Sequence, residues 1–141
     1  MSSGYVRLQI NTFLEANWTT TEIFYVDDYD SIDSIPANNT GAWVGVEYPT
    51  SVEQVNSIPA NFWREDGDVL IHIVTPNGWN SATPVSYGDQ LQQLLRGQRL
   101  GDVVIESVSP VTDASPPALE LSSSWHGWAI LVSYYSIRSS S

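Results

Sequence analysis

The spacing of apolar residues changes period along this chain, and the sharpest change falls between residues 69 and 97. Val69, Leu70, Ile71, Ile73 and Val74 form a β-branched run with one polar interruption, the pattern of a strand covered on both faces. Asp66-Gly67 before it and Thr75-Pro76-Asn77-Gly78 after it are turn-forming sequences that should bound it. Tyr87, Leu91, Leu94 and Leu95 then fall at i, i+4, i+7 and i+8, one stripe of an amphipathic helix. Thr83-Pro84 reads as the N-cap and first residue of that helix, and Gly97 as its left-handed terminator. The same spacing recurs in Val6, Ile10, Phe13 and Leu14, which predicts a first helix over residues 4–16, capped by Ser2 or Ser3. Asn17 and the threonines at 19–21 should end it.

Period-2 or β-branched runs predict strands at residues 22–26, 42–48, 69–74, 103–108 and 125–137, with a further short one at 118–121 as an option. Residues 27–39, 50–60 and 109–117 are polar or rich in Pro and Ser and read as loops. The order αβββαββ, with strands in the majority, predicts an α+β fold: one mixed, mostly antiparallel sheet with both helices on one face. The whole chain, 1–141, reads as one domain, with residues 138–141 as a frayed tail.

Charge narrows the functional classes. Sixteen acidic residues stand against five arginines and no lysine, a formal net charge of −11. Such a chain has few cations with which to displace counterions from phosphates, which disfavours direct binding to nucleic acid or to an anionic membrane. Without cysteine there is neither a disulfide framework nor a thiolate metal site. The first residues, MSSGYVRLQ, lack the basic start and apolar core of a leader, and no apolar run approaches the ~20 residues that span a bilayer. The expectation is a soluble protein made in a cytoplasm.

Catalytic patterns are weak. His72 and His126 sit in separate predicted strands without metal-binding spacing, and each is read as packing or surface. The absence of lysine excludes Schiff-base chemistry. The acids at 27, 28, 30 and 33 could gather calcium, but counted from Asp28 the sixth position is Asp33 instead of Gly and the twelfth Asn39 instead of Glu. Glu65, Asp66 and Asp68 could form an acid–base pair for glycoside hydrolysis, though beside a turn dipeptide they read as solubilising a hairpin end. No catalytic, cofactor-binding or metal-binding residue is assigned. Six Trp, seven Tyr and three Phe are the unusual feature. Trp63, Trp79, Trp125 and Trp128 lie near predicted strand ends or turns, where they can be core, sugar-stacking platforms or interface anchors. A basic complement made only of arginine leans towards interfaces, because the guanidinium fork forms bidentate pairs.

A helix ends in Leu14…Trp18 and is followed by Thr21-Glu22-Ile23 and a strand. Ala42-Trp43-Val44-Gly45-Val46 then runs to Pro49, and Arg64-x-x-Gly67 leads into residues 69–78, with helix two and a closing pair of strands ending near Tyr134 or Tyr135. This order resembles the tail terminator proteins of long-tailed bacteriophages and related phage-like particles, over nearly the whole length. The resemblance implies structural work with no catalysis and no cofactor. It implies a homo-oligomer, a hexameric ring at the head-proximal end of the virion tail. That ring would cap the tail tube protein, end tail polymerisation and dock the head-completion (stopper) protein, with DNA passing through the lumen unbound. Six copies at −11 would carry −66, which suits a channel that does not hold DNA. Trp63, Arg64, Trp79 and Trp125 are the candidate anchors at the seams, and the loop holding Val52, Glu53, Gln54 and Val55 should reach a neighbour or the tube. Arg64 is expected to find a carboxylate. The competing reading is an aromatic-rich glycan-binding β module, which requires coplanar aromatics on one exposed sheet face.

Overall fold

A computed structural model describes residues 3–25, 41–49, 51–57, 62–76, 78, 80–113 and 125–139, of which 55–57 and 139 are described by their backbone alone. Helix α1 (Gly4–Asn17) starts where the Ser3 hydroxyl accepts the Val6 N–H at 3.4 Å, and it buries Val6, Ile10 and Leu14. Trp18 leaves the helix in an extended conformation, donating its N–H to the Leu14 carbonyl and its indole N–H to Thr21 Oγ1 at 2.9 Å. Strands β1 (Glu22–Tyr25), β2 (Trp43–Glu47), β3 (Ser51–Ser57) and β4 (Phe62–Pro76) precede α2 (Ala82–Leu95). Strands β5 (Arg99–Leu100), β6 (Val103–Val108), β7 (Thr112–Asp113) and β8 (Trp125–Ser139) follow it.

The strands form one mixed sheet in the order β1-β2-β4-β8-β6-β5, with β3 on β4 and β7 on β8. Only β1–β2 is parallel among these pairs. The α+β architecture is as the hydrophobic pattern implied, and both helices bury their stripes in one cluster. Val6, Ile10, Leu14, Leu91 and Leu95 meet Val44, Val46, Val69, Ile71, Ile73, Ile130, Val132 and Tyr134 there, the alternate residues of β2, β4 and β8. Phe13, Tyr87 and Leu94 are only partly buried against it. The other face of β4 is covered too: Trp43, His72 and Val74 are all buried. Phe24 and Trp125 meet the Trp43 ring edge-on at 5.6 and 6.4 Å.

Four expectations need correction. Asp66-Gly67 is no turn but the interior of β4, which pairs along its full fifteen residues with β8, from Phe62↔Ser139 to Pro76↔Trp125. Residues 51–57, read as loop, form β3, with Ser51 opposite Gly67 and Val55 opposite Trp63. At Asp66-Gly67 the remote strand β8 overrides a local turn preference, and at residues 51–57 the edge of the next strand, β4, does so. Helix α2 starts at Ala82 behind Ser81, with the Asn80 side chain accepting the Ala82 N–H at 2.9 Å. Pro84 therefore stands at the third helical position, still within the turn whose amides lack intrahelical acceptors. Arg138 and Ser139 belong to β8 and are not frayed. The termination at Gly97 is as expected, with φ +74°. The two-residue strands β5 and β7 are additions. The acidic segment 27–33, Trp79 and the optional strand at 118–121 lie outside the described residues.

Candidate functional site

Strands β2 and β3 lie one after the other along the same side of β4, β2 against residues 70–74 and β3 against residues 62–67. The half of β4 beside β3 also pairs with the end of β8, so three strands run together there. Side-chain alternation divides this region. Glu53, Trp63, Glu65, Tyr134, Ser136 and Arg138 share the helix-bearing side. Val52, Gln54, Phe62, Arg64, Asp66, Asp68, Tyr135 and Ile137 share the other.

On the helix-free side Arg64 is held firmly. Its Nε lies 3.0 Å from both Asp66 oxygens and its Nη2 2.9 Å from Oδ1. Glu106 is 3.8 Å away, and the guanidinium lies 4.3 Å from the centre of the Tyr135 ring. The hydrogen bond to Asp66 is the main reason the Arg64 pKa is raised, outweighing partial desolvation. Glu106 reaches this side through a register shift in β6 between Ile105 and Ser107. A shallow groove of about 250 Å³ beside Arg64 is lined by Ser51, Val52, Asp66, Asp68, Glu106 and Ser133. The Ser133 hydroxyl donates to Asp68 at 3.0 Å. Val52, Phe62 and Leu131, three of the four exposed large hydrophobic residues among those described, lie on this face; the fourth is Leu8 on α1.

The helix-bearing side is closed by Glu65, only 3% exposed. Its carboxylate accepts from the Tyr134 hydroxyl at 2.8 Å, the Ser3 N–H at 3.2 Å and Arg138 Nη2 at 3.3 Å. Arg138 also donates to Ser3 Oγ at 3.2 Å and lies over the Tyr5 ring. Glu65 thus ties the start of α1 to the β4–β8 ladder. It is a buried structural carboxylate, not the solvated hairpin residue expected, and it faces away from Asp66 and Asp68.

The two histidines stand on opposite faces of the sheet. His72 is buried, with Nε2 2.8 Å from Glu47 and Nδ1 without a hydrogen-bond partner among the described residues. Burial lowers its pKa, and Glu47 only partly offsets that. His126 pairs with Asp113 at 2.8 Å on an exposed edge. It borders a second cavity of about 170 Å³ near the start of α2, together with Thr75, Gly78, Ser81 and Trp128. Among the described residues, no three His, Cys, Asp or Glu side chains are placed to share a metal ion.

Of the residues singled out in the sequence, Val52, Gln54 and Arg64 come together. Glu53 lies on the edge of the same strand and Val55 opposite Trp63. Arg64 finds its carboxylate within its own strand. Trp63 is half-buried on the helix-bearing side, so it forms no patch with Arg64. Trp125 is half-buried against Trp43 at the far end of the sheet, with interplanar angle 70°. Trp128 sits on the opposite face of β8 from Trp125. These tryptophans do not form a flat platform. The sequence marked Glu65 only as one of three acids beside a turn dipeptide and did not mark Glu106, because the role of the first needs partners remote in the chain and the second a bulge.

Comparison with known proteins places the fold alone. The chain matches no family model and no curated protein. It is similar to a solved structure whose designation carries no functional information, at TM-score 0.58 and 14% identity, over 98% of this chain and 96% of that chain. No helix of the described residues is long and apolar enough to cross a membrane.

Proposed function

We propose that this chain is a structural protein of a phage-like tail. On this reading it assembles as the sixfold ring that its sequence resemblance implies, caps the tail tube, stops its polymerisation and presents a surface to a head-completion protein.

 The observation that carries it is the helix-free face, where three exposed apolar side chains share one surface with an arginine braced on Tyr135 and Asp66. Exposed apolar side chains on one face, with an immobilised arginine between Phe62 and the row of Val52, suit a protein interface. The order of elements that resembles tail terminators supports the same reading, as does the net charge of −11, since acidic walls let DNA pass without holding it. The half-buried, non-coplanar tryptophans favour it over glycan stacking.

The test is assembly. Purified protein is measured by light scattering across concentration, and then added to polymerising tail tube protein, with tube lengths read from electron micrographs. The expected result is a ring of several copies and tubes of limited length. A protein that stays monomeric with tubes present, leaves their length unchanged and binds polysaccharide would overturn the reading.

A further inference from the structure

Among the described residues, two strands with a single neighbour, β3 and β5, lie at opposite ends of the same rows of the sheet. One row runs from Glu53 on β3 through Glu65, Ser136 and Val103 to Leu100 on β5. Among the described residues, β3 pairs only with β4, and β5 only with β6. Beyond β3 and β5 no further described strand continues the ladder, so each presents a strand edge of the kind that pairs with another strand. At β5 the backbone groups of that edge can be named: the Ile105 N–H donates to the Gln98 carbonyl at 3.0 Å, so the N–H and C=O of the next residue, Arg99, point away from β6.

The two edges also differ in charge. Beside β5 stand Arg96 and Arg99, both exposed and without an ion pair among the described residues. Arg99 makes one long contact, 3.4 Å, with the Gly101 carbonyl. The other edge has Glu53 exposed on β3, with Asp68 and the Arg64–Asp66 pair on the strand behind it. The sides match as well. Glu53 belongs to the helix-bearing side, as does Gln98 and the end of α2 that carries Arg96. Val52 and Asp66 belong to the helix-free side, as does Arg99.

We propose that the partner of the β3 edge is the β5 edge of a second copy of this chain, so that the sheet continues from one subunit into the next. This rests on the ring reading above and specifies its seam. The contact is head-to-tail, using two different surfaces per subunit, which is what a closed ring requires and an isologous dimer does not. Arg96 faces Glu53 of the neighbour, and Arg99 lies over Val52 towards Asp66.

The lysine-free sequence gives a clean test. Gln98→Lys introduces a single side-chain amine at the β5 edge while leaving both arginines in place. Within one chain that amine is four strand spacings from Glu53, about 19 Å, beyond the combined reach of the two side chains. A zero-length carbodiimide link between them, located by peptide mass spectrometry, therefore has to join two copies. The expected result is a ladder of linked oligomers with position 98 joined to Glu53. Charge reversal is the second arm. Glu53→Arg and Arg96→Glu should each weaken association about tenfold or more, and the double variant should recover most of it. Circular dichroism of each variant checks that the subunit still folds. Rings that form without the 98–53 link, or that ignore both reversals, would overturn this seam and leave the ring reading standing. Wild-type protein that remains monomeric, with tail tubes present, would overturn both.

Discussion

Glu65 and His72 are both buried on β4, but on opposite faces, and they respond differently to change. Glu65 satisfies three donors from α1 and β8. Glu65→Ala removes this acceptor from all three and should cost about 3 kcal/mol, the low end of the range for broken buried pairs because Arg138 is partly exposed. Tyr134→Phe removes one charge-assisted bond and should cost about 1.5 kcal/mol. Urea unfolding of both variants checks the order. His72 sets a pH dependence. Burial lowers its pKa in the folded state, so the folded chain holds this proton less tightly than the unfolded chain, whose histidine titrates near 6.5. As pH falls below about 6.5 the unfolded state takes up more protons, and stability is lost until the pH passes below the lowered folded value. The residues paired with His72, Gly45 and Ala129, do not titrate, which leaves Glu47 as the ionisable neighbour in hydrogen-bond contact. His72→Gln can still donate to Glu47, and it should flatten the fall in unfolding midpoint between pH 7.5 and 5.5.

At the level of elements, helix α2 offers a sharp comparison. Leu91 and Leu95 are fully buried and Leu94 is not. Leu91→Ala and Leu95→Ala should each cost about 2–5 kcal/mol, and Leu94→Ala clearly less. Gly88 tests the packing of the same helix on the segment after β6. A Cβ at Gly88 would come within 2.7 Å of Val111 Cβ. Alanine gains about 1 kcal/mol in helix propensity, but overpacking costs about 1–3 kcal/mol, so Gly88→Ala should destabilise. Combining it with Val111→Ala should cost less than the sum of the two single changes, as thermal or urea unfolding would show. The helices were legible because Val6, Ile10 and Leu14, like Leu91 and Leu95, carry the helical period in their own spacing. The apolar run of β4 and the alternation of β8 were legible for the same reason. Strand β3 was not: Ser51–Ser57 contains Glu, Gln and Asn, and becomes a strand because β4 offers it an edge. The Glu65 network was equally invisible, since its partners lie 62, 69 and 73 positions away in sequence. The candidate site, assembled from β3, the start of β4 and a bulge in β6, inherits that non-local origin.

For the whole molecule, charge acts at two ranges with opposite signs. Every copy carries −11, so bringing copies together is opposed by the summed repulsion of acids spread over the surface. The proposed seam is attractive, with Arg96 and Arg99 against Glu53 and Asp66, and its charges are in contact. Salt separates the two. At about 0.1 M the screening length is about 10 Å, which weakens repulsion between distant acids while leaving contacts at the seam largely intact. At about 1 M it falls to about 3 Å, and the seam pairs are screened as well. Association should therefore strengthen from low to moderate salt and then level off or decline, with backbone pairing and the apolar contact at Val52 sustaining what remains. Arg96→Glu should change the shape of this curve as well as its height. With the seam made repulsive, association should rise steadily with salt across the whole range, because screening then removes an unfavourable contact. Sedimentation of the wild type and of Arg96→Glu over the same salt series provides the comparison, and two curves of identical shape would show that the arginines of the β5 edge take no part in assembly.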